Sequence, residues 1–217
     1  MIDLHCHTLF SDGELLPSEL VQRAEAMGHR GLAITDHVDL SNLDFVLPRV
    51  KAVVQELNRH HQVKALAGVE LTHVPPATIA DLTSQARELG AQIILVHGET
   101  LVEPVAAGTN QAALEAGVDI LAHPGLITPE QAALAAKKGV LLEISARKGH
   151  CLANGHVLRM AEQAGAKLVV NTDAHAPSDL IDRAQAEAVA LGAGVSPERL
   201  PALFEASEEM LNRALAG

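Results

Sequence analysis

The chain has 217 residues, a size that predicts one compact domain with its own buried core. Its content of 48% hydrophobic and 20% charged residues excludes a disordered chain, and no apolar run approaches a membrane helix. The formal net charge of −11 argues against a general polyanion-binding surface. With three Phe, no Tyr and no Trp, the chain also lacks the aromatic side chains on which single-stranded nucleic acids stack.

Cysteine usage and the N-terminus predict the compartment. Two cysteines, Cys6 and Cys151, do not form a disulfide framework, and the N-terminal MIDLHCH lacks the basic and apolar regions of a signal peptide. We therefore expect a cytoplasmic protein with no membrane segment. The unusual feature of the composition is its 12 histidines beside only 16 Lys and Arg.

Short apolar runs rich in Val, Ile and Leu alternate with longer segments of helical spacing. Because the runs are continuous rather than alternating, they predict strands that are buried on both faces of a parallel sheet. In chain order the predicted strands are residues 1–4, 31–35, 63–69, 92–96, 118–122, 140–144 and 167–171.

The segments between these strands predict amphipathic helices. Thr128, Pro129 and Gln131 have the order of an N-cap, a first-turn proline and a capping partner, and glycines such as Gly90 fall where helices end. Residues 196–217 predict a closing helix that Pro201 interrupts early. The chain thus contains about seven strand-then-helix units, which we expect to form a single domain over residues 1–217.

The spacing of the strand ends favours a closed α/β barrel over an open sheet, because each interval fits one strand and one helix. Residues 9–14 after the first strand, LFSDGE, contain no glycine-rich phosphate loop. The dinucleotide-binding and P-loop folds therefore lose their main signature.

Half of the histidines lie at the ends of predicted strands, and in a parallel barrel those ends form the active-site face. The six are His5, His7, His37, His97, His123 and His175. Side chains two apart on a strand point the same way, so His5 with His7, and Asp173 with His175, can each present two ligands. Imidazole and carboxylate together suit zinc, iron or manganese, which predicts a metal cluster.

Carboxylates complete this predicted cluster: Asp12, Glu70 and Asp173, with Glu143 as a further candidate. Glu70 is the best candidate for bridging two ions, because a carboxylate has two oxygens. The alternative for any single histidine is a hydrogen-bonded structural residue. For the whole set, burial without cations would carry a large desolvation cost, which favours metal binding.

An ordered series of motifs then resembles a known family. The motifs are Asp3-Leu4-His5-Cys6-His7-Thr8, Ser11-Asp12-Gly13, Thr35-Asp36-His37, Gly68-Val69-Glu70, His97, His123-Pro124-Gly125 and Thr172-Asp173-Ala174-His175. Over residues 1 to about 180 they resemble the polymerase and histidinol phosphatase (PHP) superfamily. This resemblance implies a distorted seven-stranded, TIM-like (β/α)7 barrel with a trinuclear metal site at the C-terminal face of the strands.

The resemblance also implies a ligand set for three divalent ions of zinc, manganese or iron. One ion would be held by His5, His7 and Asp173, and Glu70 would bridge it to a second ion held by His97 and His123. Asp12, His37 and His175 would hold the third. Asp12 stands where some members of the superfamily have His.

Such a centre predicts a hydrolase in which a water molecule activated by metal attacks a phosphate ester. We expect a metal-dependent phosphatase for small soluble phosphate monoesters, with histidinol phosphate as one possible substrate. Two alternatives stay open: a phosphodiesterase or exonuclease on nucleotides or oligonucleotides, and a non-catalytic metal-binding barrel. The low count of Lys and Arg makes a nucleic-acid partner the less favoured choice, and the sequence does not predict the oligomeric state.

Residues after the strands would contact substrate. Arg147 and Lys148 would place two cations beside the metals, although a solvated basic loop is the alternative. Glu143 and His73 are further candidates for substrate contact, and Glu143 could instead orient a ligand histidine or form a buried ion pair. The loop 98–110 is long for a barrel of this size and could cover the site, but the sequence does not assign its role.

Overall fold

The computed structural model describes residues 1–216, in which parallel strands alternate with helices. Gly217, the last residue of the predicted closing helix, lies outside the described residues. The strands are β1 (Ile2–Cys6), β2 (Gly31–Ile34), β3 (His37–Val38), β4 (Lys64–Leu71), β5 (Ile93–His97), β6 (Ile120–Ala122), β7 (Leu141–Ser145) and β8 (Leu168–Asn171).

Within the described residues 1–216, eight α-helices connect and cover these strands. They are α1 (Pro17–Ala26), α2 (Leu43–His60), α3 (Ile79–Leu89), α4 (Thr109–Ala116), α5 (Pro129–Lys138), α6 (Asn154–Ala164), α7 (Arg183–Ala193) and α8 (Leu200–Ala216). No helix within residues 1–216 has the length and apolar composition needed to cross a membrane.

The strands pair in the order β1-β2-β4-β5-β6-β7-β8, and every pairing is parallel. Cys6 forms an isolated parallel bridge with Ala174, which brings the two edges of the sheet together. The short β3 continues β2 along β4, where His37 pairs with Glu70. The predicted TIM-like (β/α)7 barrel is confirmed, and each of the seven predicted strands lies within two residues of its observed bounds.

Apolar side chains fill the barrel interior at its N-terminal end, and α8 packs across that opening. Leu4, Leu66 and Leu95 form one buried cluster with Met210 and Leu211 of α8. The helix approaches so closely that a Cβ added to Gly31 would lie 2.5 Å from a methyl carbon of Leu211. The absence of a side chain at Gly31 therefore allows α8 to seat against the strands.

Local capping follows the sequence with one exception. Thr128 accepts a hydrogen bond from the backbone N–H of Gln131 in a capping box, and Gly90 ends α3 in the left-handed conformation. The expectation that Pro201 interrupts the closing helix is wrong, since α8 begins at Leu200. Proline is tolerated in the first helical turn, where its missing N–H has no intrahelical partner.

A bulge in β1 decides which side chains face the barrel interior. Asp3 pairs with Leu32 and Cys6 with Ile34, so β1 carries one residue more than β2 between the two pairs. Leu4 packs in the interior cluster, while the next residue, His5, also points inward. The extra residue thus lets β1 supply core packing and then two inward histidines.

Candidate metal centre

The nine residues predicted as ligands all lie at the C-terminal end of the barrel. Strands β1, β3, β4 and β5 carry four of them, and the segments directly after β1, β6 and β8 carry the others. They are His5, His7, Asp12, His37, Glu70, His97, His123, Asp173 and His175.

Glu70 occupies the centre of this cluster and is fully buried. Its Oε2 lies 2.8 Å from Nδ1 of His37, 3.3 Å from Nε2 of His5 and 3.6 Å from Nε2 of His7. Its Oε1 lies 3.6 Å from Nε2 of His123. One carboxylate therefore contacts four imidazoles from three separate segments of the chain, as a bridging ligand would.

Asp173 forms a second centre beside Glu70. Its Oδ1 lies 3.2 Å from Nε2 of His7 and 3.5 Å from Nε2 of His5, and its Oδ2 lies 3.6 Å from Nε2 of His123. Burial raises the pKa of this carboxyl to about 7. A nearby cation would favour the ionised form instead, so the pocket is electrostatically suited to positive charge.

Asp12 lies at the rim of the cluster. Its Oδ1 is 3.2 Å from Nε2 of His175 and 3.4 Å from Nε2 of His37. The ring of His7 stacks on that of His175 with 4.1 Å between centroids. His7, Asp12, His37 and His175 can thus offer four ligand atoms within 4.8 Å of one another.

Two hydrogen-bond networks hold the loops that carry these ligands. Asp36 accepts hydrogen bonds of 2.7 Å from the backbone N–H and the hydroxyl of Thr8, and another of 2.7 Å from the hydroxyl of Ser11. Asp3 accepts a 2.6 Å bond from the hydroxyl of Thr172. The acidic residues within the sequence motifs therefore position the segments that bear Asp12 and Asp173.

Backbone strain is concentrated at the same end of the barrel. Among residues 1–216, the non-glycine residues with positive φ are His73 at 53°, His123 at 25° and Asp173 at 53°. Such conformations cost about 1 to 3 kcal/mol each and persist only where the surroundings impose them. Their confinement to this cluster marks it as a functional site.

Several buried polar atoms in the cluster have no hydrogen-bond partner among the described residues. They include Nε2 of His5, both ring nitrogens of His7, Oε1 of Glu70, Nδ1 of His123 and Oδ1 of Asp173. Burying such groups unpaired is costly, whereas imidazole nitrogens and carboxylate oxygens are the usual ligands of divalent transition metals. The donor set therefore fits divalent metal ions.

Glu143 lies beneath the cluster rather than in its cavity. It is fully buried, accepts a 2.9 Å hydrogen bond from Nδ1 of His5, and accepts a 3.0 Å bond from the backbone N–H of His123. Asn171 donates a further bond of 2.8 Å to it. This placement fits the alternative in which Glu143 orients a ligand histidine, because its bond to Nδ1 of His5 leaves Nε2 directed toward Glu70 and Asp173.

The predicted basic pair divides into one residue inside the site and one outside it. Arg147 lines a cavity of about 210 Å³ above the cluster, and its Nη1 donates a 3.1 Å hydrogen bond to the backbone oxygen of Asp173. Lys148 is exposed and makes no hydrogen bond or ion pair with residues 1–216. The expectation that both cations lie beside the ligands is wrong for Lys148, because the chain turns at Gly149, whose φ is 93°.

Glu103 and His150 also line the cavity, although the sequence patterns did not single them out as site residues. Glu103, in the loop after β5, lies with Oε2 3.1 Å from Nε2 of His97 and 3.2 Å from Nε2 of His73. His150 is buried against His123, with 4.0 Å between ring centroids, and burial lowers its pKa to about 4. Neither follows a strand directly, so strand-end spacing gave no signal for them.

The fold and the cluster define a class of protein: a parallel α/β barrel whose C-terminal end could hold divalent metal ions. The profile of the PHP domain matches residues 3–169, well over half of the chain. The protein therefore belongs to the PHP domain family. The match ends shortly before Asp173 and His175, which the barrel brings back to the cluster.

The chain is also similar to individual proteins over most of its length. Uncharacterized protein MJ1295 of Methanocaldococcus jannaschii is 45% identical over 97% of this chain and 98% of its own. DNA polymerase/3'-5' exonuclease PolX of Bacillus subtilis is 29% identical over 80% of this chain, which corresponds to 34% of PolX. A chain in the cryo-EM structure of archaeal ribonuclease P with mature tRNA has a TM-score of 0.76 at 20% identity, covering 99% of this chain and 91% of that one.

Proposed function

We propose that the protein is a metal-dependent phosphatase that hydrolyses phosphate monoesters of small soluble molecules. One observation carries the proposal: a polar cluster with unpartnered imidazole and carboxylate atoms opens into a cavity of about 210 Å³ that Arg147 also lines. The cavity offers cation ligands below and a guanidinium at its wall. A phosphoryl group requires both kinds of partner.

The ligand set we propose follows the three groupings expected from the family. His5, His7 and Asp173 hold one ion, and Glu70 bridges it to a second ion held by His97 and His123. Asp12, His37 and His175 hold a third. The contacts of Glu70 with imidazoles of several segments support its bridging role.

Divalent ions of zinc, manganese or iron, when bound, lower the pKa of a water molecule and offset the charge of the phosphoryl oxygens. The chain supplies the remaining parts. Arg147 can donate two parallel hydrogen bonds to phosphoryl oxygens, and Glu143 keeps Nε2 of His5 directed toward Glu70 and Asp173. His97 and Asp173 are buried at the base of the cavity, which strengthens electrostatic contacts there.

The size and charge of the entrance favour a small substrate. Asp12 and Glu103 lie at the rim, and Arg147 is the one Lys or Arg among the residues that line the described cavity. A carboxylate rim repels an extended polyanion but leaves room for one phosphate group. We propose that residues 1–217 act as one unit, since α8 packs against the barrel beyond the end of the family match.

The test is turnover of a panel of phosphate esters by protein reconstituted with Mn²⁺, Zn²⁺ or Fe²⁺. The panel contains histidinol phosphate, nucleoside monophosphates and an oligonucleotide. We expect phosphate release from monoesters by the wild type and by the surface variant Lys148→Ala, and none by Asp173→Asn. No release from any monoester by folded, metal-loaded protein would overturn the proposal.

A nucleic-acid function is the second candidate, and the names of similar proteins favour it. PolX is a polymerase and exonuclease, and the archaeal structure is that of ribonuclease P with tRNA. The same reconstituted protein is therefore tested on 5'-phosphorylated and internally labelled RNA and DNA. Shortening of the labelled strands with no monoester turnover would favour this candidate, and metal binding without any turnover would favour a binding role.

A further inference from the structure

The loop after β7 brings a tenth candidate ligand to the cluster. We propose that His150 binds the same metal ion as His97 and His123, so that three imidazoles from three segments of the chain hold that ion. This inference rests on the proposed metal centre, and it adds a residue that belongs to none of the strand-end motifs.

Proximity is the first argument. His97, His123 and His150 each offer a ring nitrogen, and these nitrogens lie within 4.8 Å of one another. The centroids of His123 and His150 are 4.0 Å apart and those of His97 and His123 are 4.4 Å apart. Three imidazoles that meet at this distance can share one divalent ion after small rotations of their side chains.

Orientation is the second argument. Nδ1 of His150 is hydrogen-bonded to the hydroxyl of Thr100 at 2.7 Å, which leaves Nε2 directed toward the cavity. His97 has the same arrangement, with Nδ1 bonded at 3.2 Å to the backbone oxygen of Gly98. Metal-binding histidines typically bond through one nitrogen to a fixed oxygen and through the other to the ion.

The surroundings of Nε2 provide the third argument. It lies 3.4 Å from Oε1 of Glu103 and 3.8 Å from Oδ2 of Asp173. Carboxylate oxygens of two separate segments thus surround this nitrogen and those of its neighbours. A cation placed among them would meet both imidazole and carboxylate ligands, which is the environment preferred by zinc and manganese.

Burial groups His150 with the predicted ligands His97 and His123 and distinguishes it from His73. Its side chain is 4% exposed, compared with 42% for His73. The 3-10 turn His150–Ala153 directly precedes α6, so the backbone at His150 is part of a packed element. Its ring is therefore held in place before any ion arrives.

The test measures metal binding directly, without reference to turnover. Metal-free protein is titrated with Co²⁺ while the visible absorption of the bound ion is recorded, and elemental analysis gives the number of ions per chain. His150→Phe keeps a ring in the buried position but removes both nitrogens. His60→Ala, on the exposed end of α2, is the matched control for the loss of a histidine.

We expect His150→Phe to bind one of its ions about 10- to 100-fold more weakly than the wild type, or more weakly still, with an altered absorption spectrum. Loss of a residue that only hydrogen-bonds to a metal ligand already lowers metal affinity about 10- to 100-fold. Thr100→Val should weaken the same ion about 10-fold, since it removes the partner of Nδ1 and leaves the imidazole in place. Thr100→Ser retains a hydroxyl and should bind as the wild type does. The Thr100 pair decides the question even if His150→Phe does not fold.

Unchanged affinities and spectra in both His150→Phe and Thr100→Val would overturn the inference. A raised KM with unchanged metal binding would likewise overturn it and would make His150 a substrate contact. Failure of the wild type to bind Co²⁺ would instead refute the proposed metal centre as a whole. The two proposals therefore fail by different measurements.

Discussion

The two ends of the barrel differ in polarity, in the pairing of buried groups and in backbone strain. At the N-terminal end, Leu66, Leu95 and Met210 belong to an apolar cluster that α8 covers. At the C-terminal end, imidazoles and carboxylates are buried without partners, and the backbone is strained at His123 and Asp173. One end of the same strands therefore stabilises the fold, and the other end carries a destabilising set of groups that cations would compensate.

Removal of the metal ions should have the largest effect, because it leaves the C-terminal end without compensating cations. Chelation of Mn²⁺-loaded protein is expected to lower Tm by about 10 °C, because an ion present at 1,000 times its Kd stabilises by about 4 kcal/mol and each kcal/mol shifts Tm by roughly 2 to 4 °C at this size. Calorimetry before chelation, after it, and after addition of fresh Mn²⁺ checks the prediction. A Tm that is the same in all three samples would contradict it.

Truncation in the apolar end should change stability without changing metal binding. Leu211→Ala is expected to lower the free energy of unfolding by about 3 kcal/mol, because it opens a cavity between α8 and the strands. Denaturant unfolding measures the loss, and elemental analysis should find the wild-type metal content. The control is Leu215→Ala, whose leucine is 41% exposed and which should change stability by less than about 0.5 kcal/mol.

A substitution beneath the cluster should change metal binding instead of stability. Glu143→Gln keeps the shape of the side chain but removes the charge that receives the Nδ1 proton of His5, so metal affinity should fall about 10- to 100-fold. Metal titration of this variant beside Glu205→Gln, an exposed position on α8, provides the comparison. Equal affinities in the two variants would mean that Glu143 has no role in orienting His5.

The smallest expected effect distinguishes Arg147 from its neighbour Lys148. Arg147→Ala should raise KM for a phosphate monoester about 10-fold, since a hydrogen bond to a charged group is worth about 1.5 to 3 kcal/mol. Lys148→Ala should leave KM unchanged because its side chain lies outside the cavity. Steady-state kinetics on the pair tests this, and a larger effect at Lys148 would show that the loop rearranges when substrate binds.

Sequence periodicity predicts most of the fold because each strand is buried on both faces, so its apolar run is continuous. The bulge in β1 left no such pattern: Leu4 and His5 are adjacent, and a regular strand would send them to opposite faces. The convergence of the strand-end residues follows from parallel topology alone. His150 and Glu103 depend on how two loops pack on each other, which strand spacing does not encode.

Because α8 covers the N-terminal end of the barrel, it also affects how substrate reaches the cluster. Met210 and Leu211 fill that opening, and within residues 1–216 the cavity beside Arg147 connects the cluster to solvent. Substrate would then enter, and phosphate would leave, through the same opening, so product release must precede binding of the next substrate. Inorganic phosphate that stays bound in this cavity would block the ester, so we expect inhibition by phosphate that competes with the ester.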